Sequence, residues 1–146
     1  MQARDVMTSP VITLRPDTPV RAAAALLISH GFTASPVVDA DGRLLGIVTE
    51  ADLMRGRIVR EGGAVTDAPE PAVAAVMSGD PVTAGPGDDL ADVVATMLEH
   101  GFRSLPVVRG TDLVGILSRR DVLRCVARGE LTSADVAARR RVGPDR

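Results

Sequence analysis

The sequence predicts an α+β fold of two similar units, each with the element order β-α-β-β-α, packed sheet to sheet about a pseudo-twofold axis. Three observations predict it: an internal repeat, amphipathic helical patterns in each repeat, and a hairpin pattern that follows each first helix. Residues 6–38 match residues 76–108 with 11 identities in 33 positions, and residues 46–55 match 115–124 with 4 in 10. Because a repeat of about 50 residues makes only a marginal core by itself, the two copies are expected to pack together.

Each repeat begins with a predicted short strand, at residues 11–13 and 82–83, and continues into a predicted helix. Thr18 and Asp88 are the expected N-caps of these helices, because both residue types favour that position. Apolar residues at helical spacing mark the buried faces. They are Val20, Ala23, Ala24 and Leu27 in the first helix, and Leu90, Val93, Val94 and Met97 in the second. A His-Gly pair ends each helix, and its glycine is expected to adopt the left-handed conformation.

A two-stranded hairpin is predicted after each of these helices. In the first repeat the strands are residues 36–38 and 44–48, joined at Asp41-Gly42, which is a favourable turn pair. Residues 106–117 form the counterpart in the second repeat. The outer strand of each hairpin runs directly into a second predicted helix.

The repeat and its flanking composition predict four segments along the chain. Residues 1–60 form the first unit, residues 61–75 a linker, residues 76–128 the second unit, and residues 129–146 a C-terminal tail. The tail is expected to be partly disordered, with a short helix that Ser133 caps and that extends through Ala138.

Composition excludes several functional classes. The net charge of −2 and the absence of Trp and Tyr argue against general nucleic-acid binding and against base-stacking platforms. All 17 basic residues are arginine, which excludes a Schiff-base lysine and a Walker-type phosphate loop. The chain is therefore expected to bind neither nucleic acid nor a membrane, and no Ser-His-Asp or Cys-His grouping indicates an enzyme.

The single cysteine, Cys125, excludes a disulfide framework and a cysteine metal cluster, and it fits a cytoplasmic protein. Cys125 itself is expected to be a small buried residue. His30 and His100, at helix ends, are expected to interact with free carbonyls and not with a metal. Met7 and Met77 are expected to pack against the core.

Two strand-to-helix junctions carry the candidate chemistry. Thr49 is followed three residues later by Asp52, and Ser118 by Asp121. A helix N-terminus presents backbone N–H groups and a partial positive charge to an anion, and the carboxylate is an acceptor for hydroxyls such as those of ribose. The alternative is a capping pair in which the two side chains satisfy the helix N-terminus themselves.

Over residues 3–128, the order of these motifs resembles a tandem pair of cystathionine-β-synthase (CBS) domains, known as a Bateman module. Both repeats contain Val-Met, a Thr-bearing strand, a capped helix, His-Gly-Phe, Pro-Val-Val, and Gly-hydrophobic-hydrophobic-[Ser/Thr]-x-x-Asp. The resemblance implies two pseudo-twofold-related clefts, regulation of an enzyme, channel or transporter, and commonly a disc of four domains. Many members bind AMP, ADP, ATP or S-adenosylmethionine, which would make such a molecule a regulatory ligand and not a cofactor.

The resemblance also implies which residues bind the ligand. They are Thr49, Asp52, Ser118 and Asp121 for ribose and phosphate, Ile12, Thr13, Val82 and Thr83 for adenine, and Arg103, Arg119 and Arg120 for phosphate. The first repeat has Thr33, Glu50 and Ala51 at the places of these arginines. We therefore expect the Ser118–Asp121 junction to bind a phosphorylated ligand better than the Thr49–Asp52 junction. The alternative for Arg103 is that it serves the Thr49–Asp52 junction, because the clefts of CBS pairs draw residues from both repeats.

The leading functional hypothesis is thus a regulatory module that senses an adenosine-containing ligand and signals through its conformation or an unidentified target protein. The alternative is a ligand-free CBS-pair scaffold for protein–protein interaction. Apolar helical surface also predicts a homodimer of four CBS units, since closed twofold association would cover it. This surface is expected around Leu26, Leu27 and Ile28 on the first helix and around Met97 and Leu98 on the second.

Overall fold

The computed structural model describes residues 1–62 and 70–141. The chain divides into two compact units. The first unit is Ile12–Pro81, and the second unit combines Met1–Val11 with Val82–Arg146. The second unit is therefore discontinuous in sequence, because the segment that leads into the first repeat packs with the helices and strands of the second.

In its described residues, the first unit contains two helices and one antiparallel hairpin, which confirms the predicted mixture of helix and strand. Its elements are α1 (Val20–His30), β1 (Ala34–Val38), β2 (Leu44–Thr49), α2 (Glu50–Gly62) and a 3-10 turn at Val73–Ala75. The predicted turn at Asp41-Gly42 is present, and Gly42 has a φ of 83°. This unit buries a core of Leu14, Val20, Ala23, Leu27, Val37, Val48, Leu53 and Val73.

The second unit repeats this plan and extends it with a further helix. Its elements are a 3-10 turn at Ala3–Asp5, α3 (Leu90–His100), β3 (Ser104–Arg109), β4 (Asp112–Ser118), α4 (Arg119–Ala127) and α5 (Ser133–Arg141). Both hairpins are irregular at the same place, Val37/Val38 in one and Val107/Val108 in the other.

The first strand predicted for each repeat is reduced to a single parallel bridge. Leu14 bridges to Val37, and its N–H donates to the Pro36 carbonyl at 2.9 Å. Ala84 bridges to Val107 in the same way. Proline lacks an N–H, so Pro36 on the partner strand cannot extend the ladder, and the predicted strands at residues 11–13 and 82–83 do not form.

Both first helices begin one residue later than the sequence predicts. The carbonyl of Thr18, the expected N-cap, accepts an N–H from Val73 at 2.8 Å, and the carbonyl of Asp88 accepts one from Ala3 at 2.9 Å. Because these carbonyls bond to the 3-10 turns, the N-cap position passes to the next residue, Pro19 or Asp89. The predicted helix ends are correct, with Gly31 and Gly101 left-handed at φ 67° and 70°.

The region predicted as a partly disordered tail contains α5. Leu131 and Val136 are buried in the core of the second unit, where α5 packs on α3. Thr132 is the N-cap in place of the expected Ser133, since the Thr132 hydroxyl accepts the Asp135 N–H at 3.2 Å. In the predicted linker, α2 continues to Gly62, and residues 63–69 lie outside the described residues.

Two glycines allow the segments that lead into the repeats to cross the second strand of each hairpin closely: residues 7–8 cross β4, and residues 77–78 cross β2. A Cβ on Gly46 would lie 2.3 Å from the Ser78 carbonyl oxygen, and one on Gly115 would lie 2.4 Å from the Met7 sulfur. Met7 and Met77 therefore pack as predicted, against the sheet face of their own unit. Each unit is completed by a segment that fits over a glycine.

Candidate functional site

Both strand-to-helix junctions form the predicted pairs. The Thr49 N–H donates to Asp52 Oδ2 at 2.9 Å, and the Asp52 N–H donates to the Thr49 hydroxyl at 3.1 Å. At the start of α4, the Ser118 N–H donates to Asp121 Oδ2 at 2.9 Å and the Asp121 N–H to the Ser118 hydroxyl at 3.2 Å. Each pair is a reciprocal capping box, which satisfies N–H groups at the helix N-terminus.

Both carboxylates are buried and both are paired with an arginine on the next turn of their helix. The exposed fraction of the side chain is 8% for Asp52 and 2% for Asp121. Arg55 donates to Asp52 Oδ1, and Arg124 Nη1 donates to Asp121 Oδ1 at 2.8 Å. Sequence reasoning missed these arginines, although Arg55 and Arg124 are identical across the repeat and stand three residues after each Asp, which is a contact spacing on a helix.

Asp121 has two further donors. The Ser118 hydroxyl donates to its Oδ2 at 3.0 Å, and the Thr8 hydroxyl lies 3.2 and 3.3 Å from its two oxygens. Thr8 belongs to the leading segment of the second unit, where its backbone pairs with Ile116. Nothing in the spacing of Thr8 and Asp121, 113 residues apart, indicates this contact from the sequence alone.

The predicted phosphate-binding arginines are exposed, and one of them is engaged away from the carboxylate. Arg119 donates through Nε to the Phe102 carbonyl at 3.2 Å and through Nη2 to the Gly101 carbonyl at 3.4 Å. The Arg119 guanidinium therefore satisfies carbonyls at the C-terminus of α3. Arg103 and Arg120 are exposed as well, and the Arg103 carbonyl accepts the Arg119 N–H at 3.0 Å.

The residues predicted to border adenine precede the parallel bridges. Ile12 and Thr13 belong to the first unit, Val82 and Thr83 to the second. Ile12 and Val82 are exposed although apolar, and the Ile12 carbonyl accepts the Ser35 hydroxyl at 3.2 Å. Exposed apolar side chains at equivalent places in both units are suited to contact a flat apolar ring.

A cavity of about 230 Å³ lies beside α3 in the second unit. Its lining is Thr83, Ala84, Asp88, Asp89, Asp92, Val93, Thr96 and Leu105. Of the predicted site residues, Thr83 alone is in this lining, so the cavity does not bring it together with Ser118 and Asp121. Three carboxylates around it disfavour a phosphate group there.

The histidines and the cysteine have local partners. His30 stacks on Phe32 and His100 on Phe102, each with ring centroids 5.1 Å apart, and His100 Nδ1 lies 3.0 Å from the Thr96 carbonyl oxygen. Cys125 is buried, and this burial raises the pKa of its thiol. Within residues 1–62 and 70–141, no cluster of His, Cys, Asp or Glu is suited to hold a metal ion, and no helix is long and apolar enough to cross a membrane.

Two sequence relatives cover most of the chain. The CBS domain-containing protein YhcV of Bacillus subtilis is 35% identical over 119 residues, which span 82% of this chain and 81% of YhcV. Protein MJ1225 of Methanocaldococcus jannaschii is 30% identical over 123 residues, 83% of this chain but 41% of MJ1225. The chain thus spans most of the first relative and less than half of the second.

The fold has solved counterparts. The structure of CBSX2 in complex with AMP superposes with a TM-score of 0.78 at 28% identity and covers 89% of this chain and 98% of CBSX2. The CBS domain family model matches residues 3–58 and again residues 73–128, which together are most of the sequence. With both repeats matched by the family model and YhcV similar over most of its length, the chain belongs to the CBS domain family as a tandem pair.

Proposed function

We propose that this CBS pair is a regulatory module that binds an adenosine-containing ligand and transmits its presence through conformation or a target protein. The observation that carries the proposal is the capped junction, present twice, in which a buried carboxylate lies at a helix N-terminus. CBSX2, which is similar over nearly its whole length, was solved with AMP. That likeness supports AMP, ADP, ATP or S-adenosylmethionine as the class of ligand to test.

The chemistry of the junctions suits such a ligand. A carboxylate accepts hydrogen bonds from ribose hydroxyls, and the N–H groups and dipole of α2 or α4 favour a phosphate. The candidate ligand contacts are Thr49, Asp52, Ser118 and Asp121, with Ile12, Thr13, Val82 and Thr83 against the base and Arg103, Arg119 and Arg120 toward phosphate. The described thiol is buried and the imidazoles stack on phenyl rings, so we propose binding and not catalysis.

One observation favours the alternative, a scaffold without a ligand. Both carboxylates are already hydrogen-bonded by their own helices and arginines, as a purely structural capping box would be. In that case the exposed surface would carry the function through another protein. The two proposals differ in whether adenosine compounds stabilise the fold.

A thermal-shift screen with AMP, ADP, ATP, S-adenosylmethionine and NAD separates them. A ligand at one hundred times its Kd adds about 2.7 kcal/mol to the stability of the folded state, which raises the melting temperature measurably. The ligand proposal expects a rise with at least one adenosine compound and none with inosine at the same concentration. No rise with any adenosine compound would leave the scaffold.

We also propose that the module is a homodimer. Ile28 on α1 and Leu98 on α3 occupy equivalent positions in the repeat, and their exposed fractions are 82% and 54%. Leu27 and Met97, which the sequence predicts around the same surface, are buried in the cores of their units instead. Twofold association would remove such repeated apolar surface from water. Light scattering at tens of micromolar should give a dimer mass of twice 15.2 kDa for the wild type. Ile28→Glu should lower the measured mass toward the 15.2 kDa of the monomer. A monomeric wild type would overturn this proposal.

A further inference from the structure

The two junction carboxylates differ in how many donors they already hold. A carboxylate has about four acceptor positions. The Oδ2 of Asp121 accepts the Ser118 N–H and hydroxyl, its Oδ1 accepts Arg124, and the Thr8 hydroxyl is shared between both oxygens. Every acceptor position of Asp121 is therefore in use.

Asp52 holds fewer donors. Among the described residues, its Oδ2 accepts the Thr49 N–H and its Oδ1 accepts Arg55. With respect to the described part of the chain, each oxygen keeps one acceptor position. A ribose hydroxyl can donate to Asp52 without displacing a protein group, whereas at Asp121 it must replace one.

The difference between the junctions traces to Thr8. Its counterpart in the repeat is Ser78, and the backbones of the two residues pair in equivalent ways. The Thr8 N–H donates to the Ile116 carbonyl at 2.8 Å, and the Ser78 N–H donates to the Ile47 carbonyl at 2.9 Å. The Thr8 hydroxyl bonds to Asp121, but in the described residues the Ser78 hydroxyl makes no such bond to Asp52. The Ser118 hydroxyl is the other extra donor, and it can rotate to a different acceptor without moving its oxygen.

We infer that Thr8 is a specificity-determining residue: it occupies the Asp121 carboxylate, so that the Thr49–Asp52 junction takes the ribose of the ligand. The inference rests on the proposed function. It reverses the order that the arginine count predicts, and the engagement of Arg119 with carbonyls of residues 101 and 102 weakens that count. The leading segment of the chain thereby selects which junction binds.

Calorimetric titration of the full chain with AMP tests this inference. Asp52→Asn should weaken wild-type AMP binding by about tenfold or more, since a hydrogen bond to a charged acceptor is lost, and Asp121→Asn should weaken it less. Thr8→Val removes the donor but keeps the shape. It should raise the stoichiometry from about one to about two AMP per chain, because the freed carboxylate regains an acceptor position. Ser78→Ala is the matched control and should change neither value.

The other outcomes are equally decisive. Loss of wild-type binding in Asp121→Asn with binding kept in Asp52→Asn would overturn the inference and leave the proposed function intact. An unchanged stoichiometry in Thr8→Val, with an unaltered melting temperature that shows the variant is folded, would also overturn it. No heat with AMP for any of the five proteins would overturn both the inference and AMP as the ligand.

Discussion

The two units follow one backbone plan, yet their first helices are covered differently. On α3, Ala91 and Ala95 are buried in addition to the face that the sequence predicts, and α5 packs on this helix. The equivalent positions on α1, Arg21 and Ala25, are exposed. Ala24, which the sequence predicts to be buried, is only half-buried, whereas its counterpart Val94 is buried. The difference shows that an element beyond the repeated region decides how much of a repeated helix is buried.

The largest effect that tests this comparison is expected at Leu131, whose side chain is buried before α5 begins. Leu131→Ala should lower the free energy of unfolding by about 2–5 kcal/mol, because it removes buried apolar volume and leaves a cavity. The control is Leu123→Ala on α4, where the side chain is 63% exposed. Urea unfolding that gives equal losses for the two variants would mean that the segment leading into α5 adds no core to the second unit.

The next effect compares the two crossing glycines. Gly46→Ala should cost about 1–3 kcal/mol of unfolding free energy through overpacking, because the added Cβ meets the backbone oxygen of Ser78. Gly115→Ala should cost less, since the Met7 side chain in its way is flexible. Thermal melts of the two variants measure the order, and a greater loss at Gly115 would contradict this account of the crossings.

The capping boxes should show a smaller difference. Ser118→Ala and Thr49→Ala each remove an N-cap hydroxyl, which costs about 0.5–2 kcal/mol of stability. We expect the larger loss at Ser118, because its hydroxyl both accepts the Asp121 N–H and donates to the Asp121 carboxylate. Denaturant unfolding that ranks Thr49→Ala as the more costly change would show that the additional bond contributes nothing.

The smallest effect concerns pH and the first hairpin. The Arg43 and Asp41 N–H groups donate to the Asp39 carboxylate, and the Arg43 bond is the main reason that the pKa of Asp39 lies below its ordinary value of 3.8. Because the pKa is lower in the folded state, the carboxylate stabilises the fold above pH 3.8, and this contribution is lost as the pH falls below that value. The equivalent residue of the second hairpin is Arg109.

Unfolding experiments at pH 6 and pH 3 on the wild type and Asp39→Asn check this prediction. The wild type should lose slightly more stability on acidification than Asp39→Asn does. The matched change Arg109→Gln in the second hairpin should leave the acid dependence as in the wild type. An acid dependence that is unchanged in Asp39→Asn would contradict the assignment.

Much of the fold follows from the repeat in the sequence. The helix ends at Gly31 and Gly101, the hairpins and the Asp52 and Asp121 capping boxes depend on residues close in sequence, so their local pattern is sufficient to predict them. The predictions of the first strand and of the first helix start in each repeat were wrong, because these features depend on groups that are distant in sequence. Thr18, for example, gives its carbonyl to Val73, 55 residues away.

The candidate site likewise combines contacts that local sequence predicts with contacts that depend on distant segments. The Thr49–Asp52 and Ser118–Asp121 pairs were predictable because a helix N-terminus needs local acceptors. The donor from Thr8 was not, because it arrives through the pairing of two segments distant in sequence. The hydrogen bonds from the Arg119 guanidinium to carbonyls at the end of α3 were likewise not predictable from the sequence.

A crystal structure of the full chain grown with AMP tests the central claim most directly, namely that a junction carboxylate accepts the ribose of an adenosine ligand. The account predicts that the ribose hydroxyl oxygens lie within about 3 Å of the Asp52 carboxylate oxygens, while Thr8 remains on Asp121. AMP bound with its ribose away from both Asp52 and Asp121 would contradict the account.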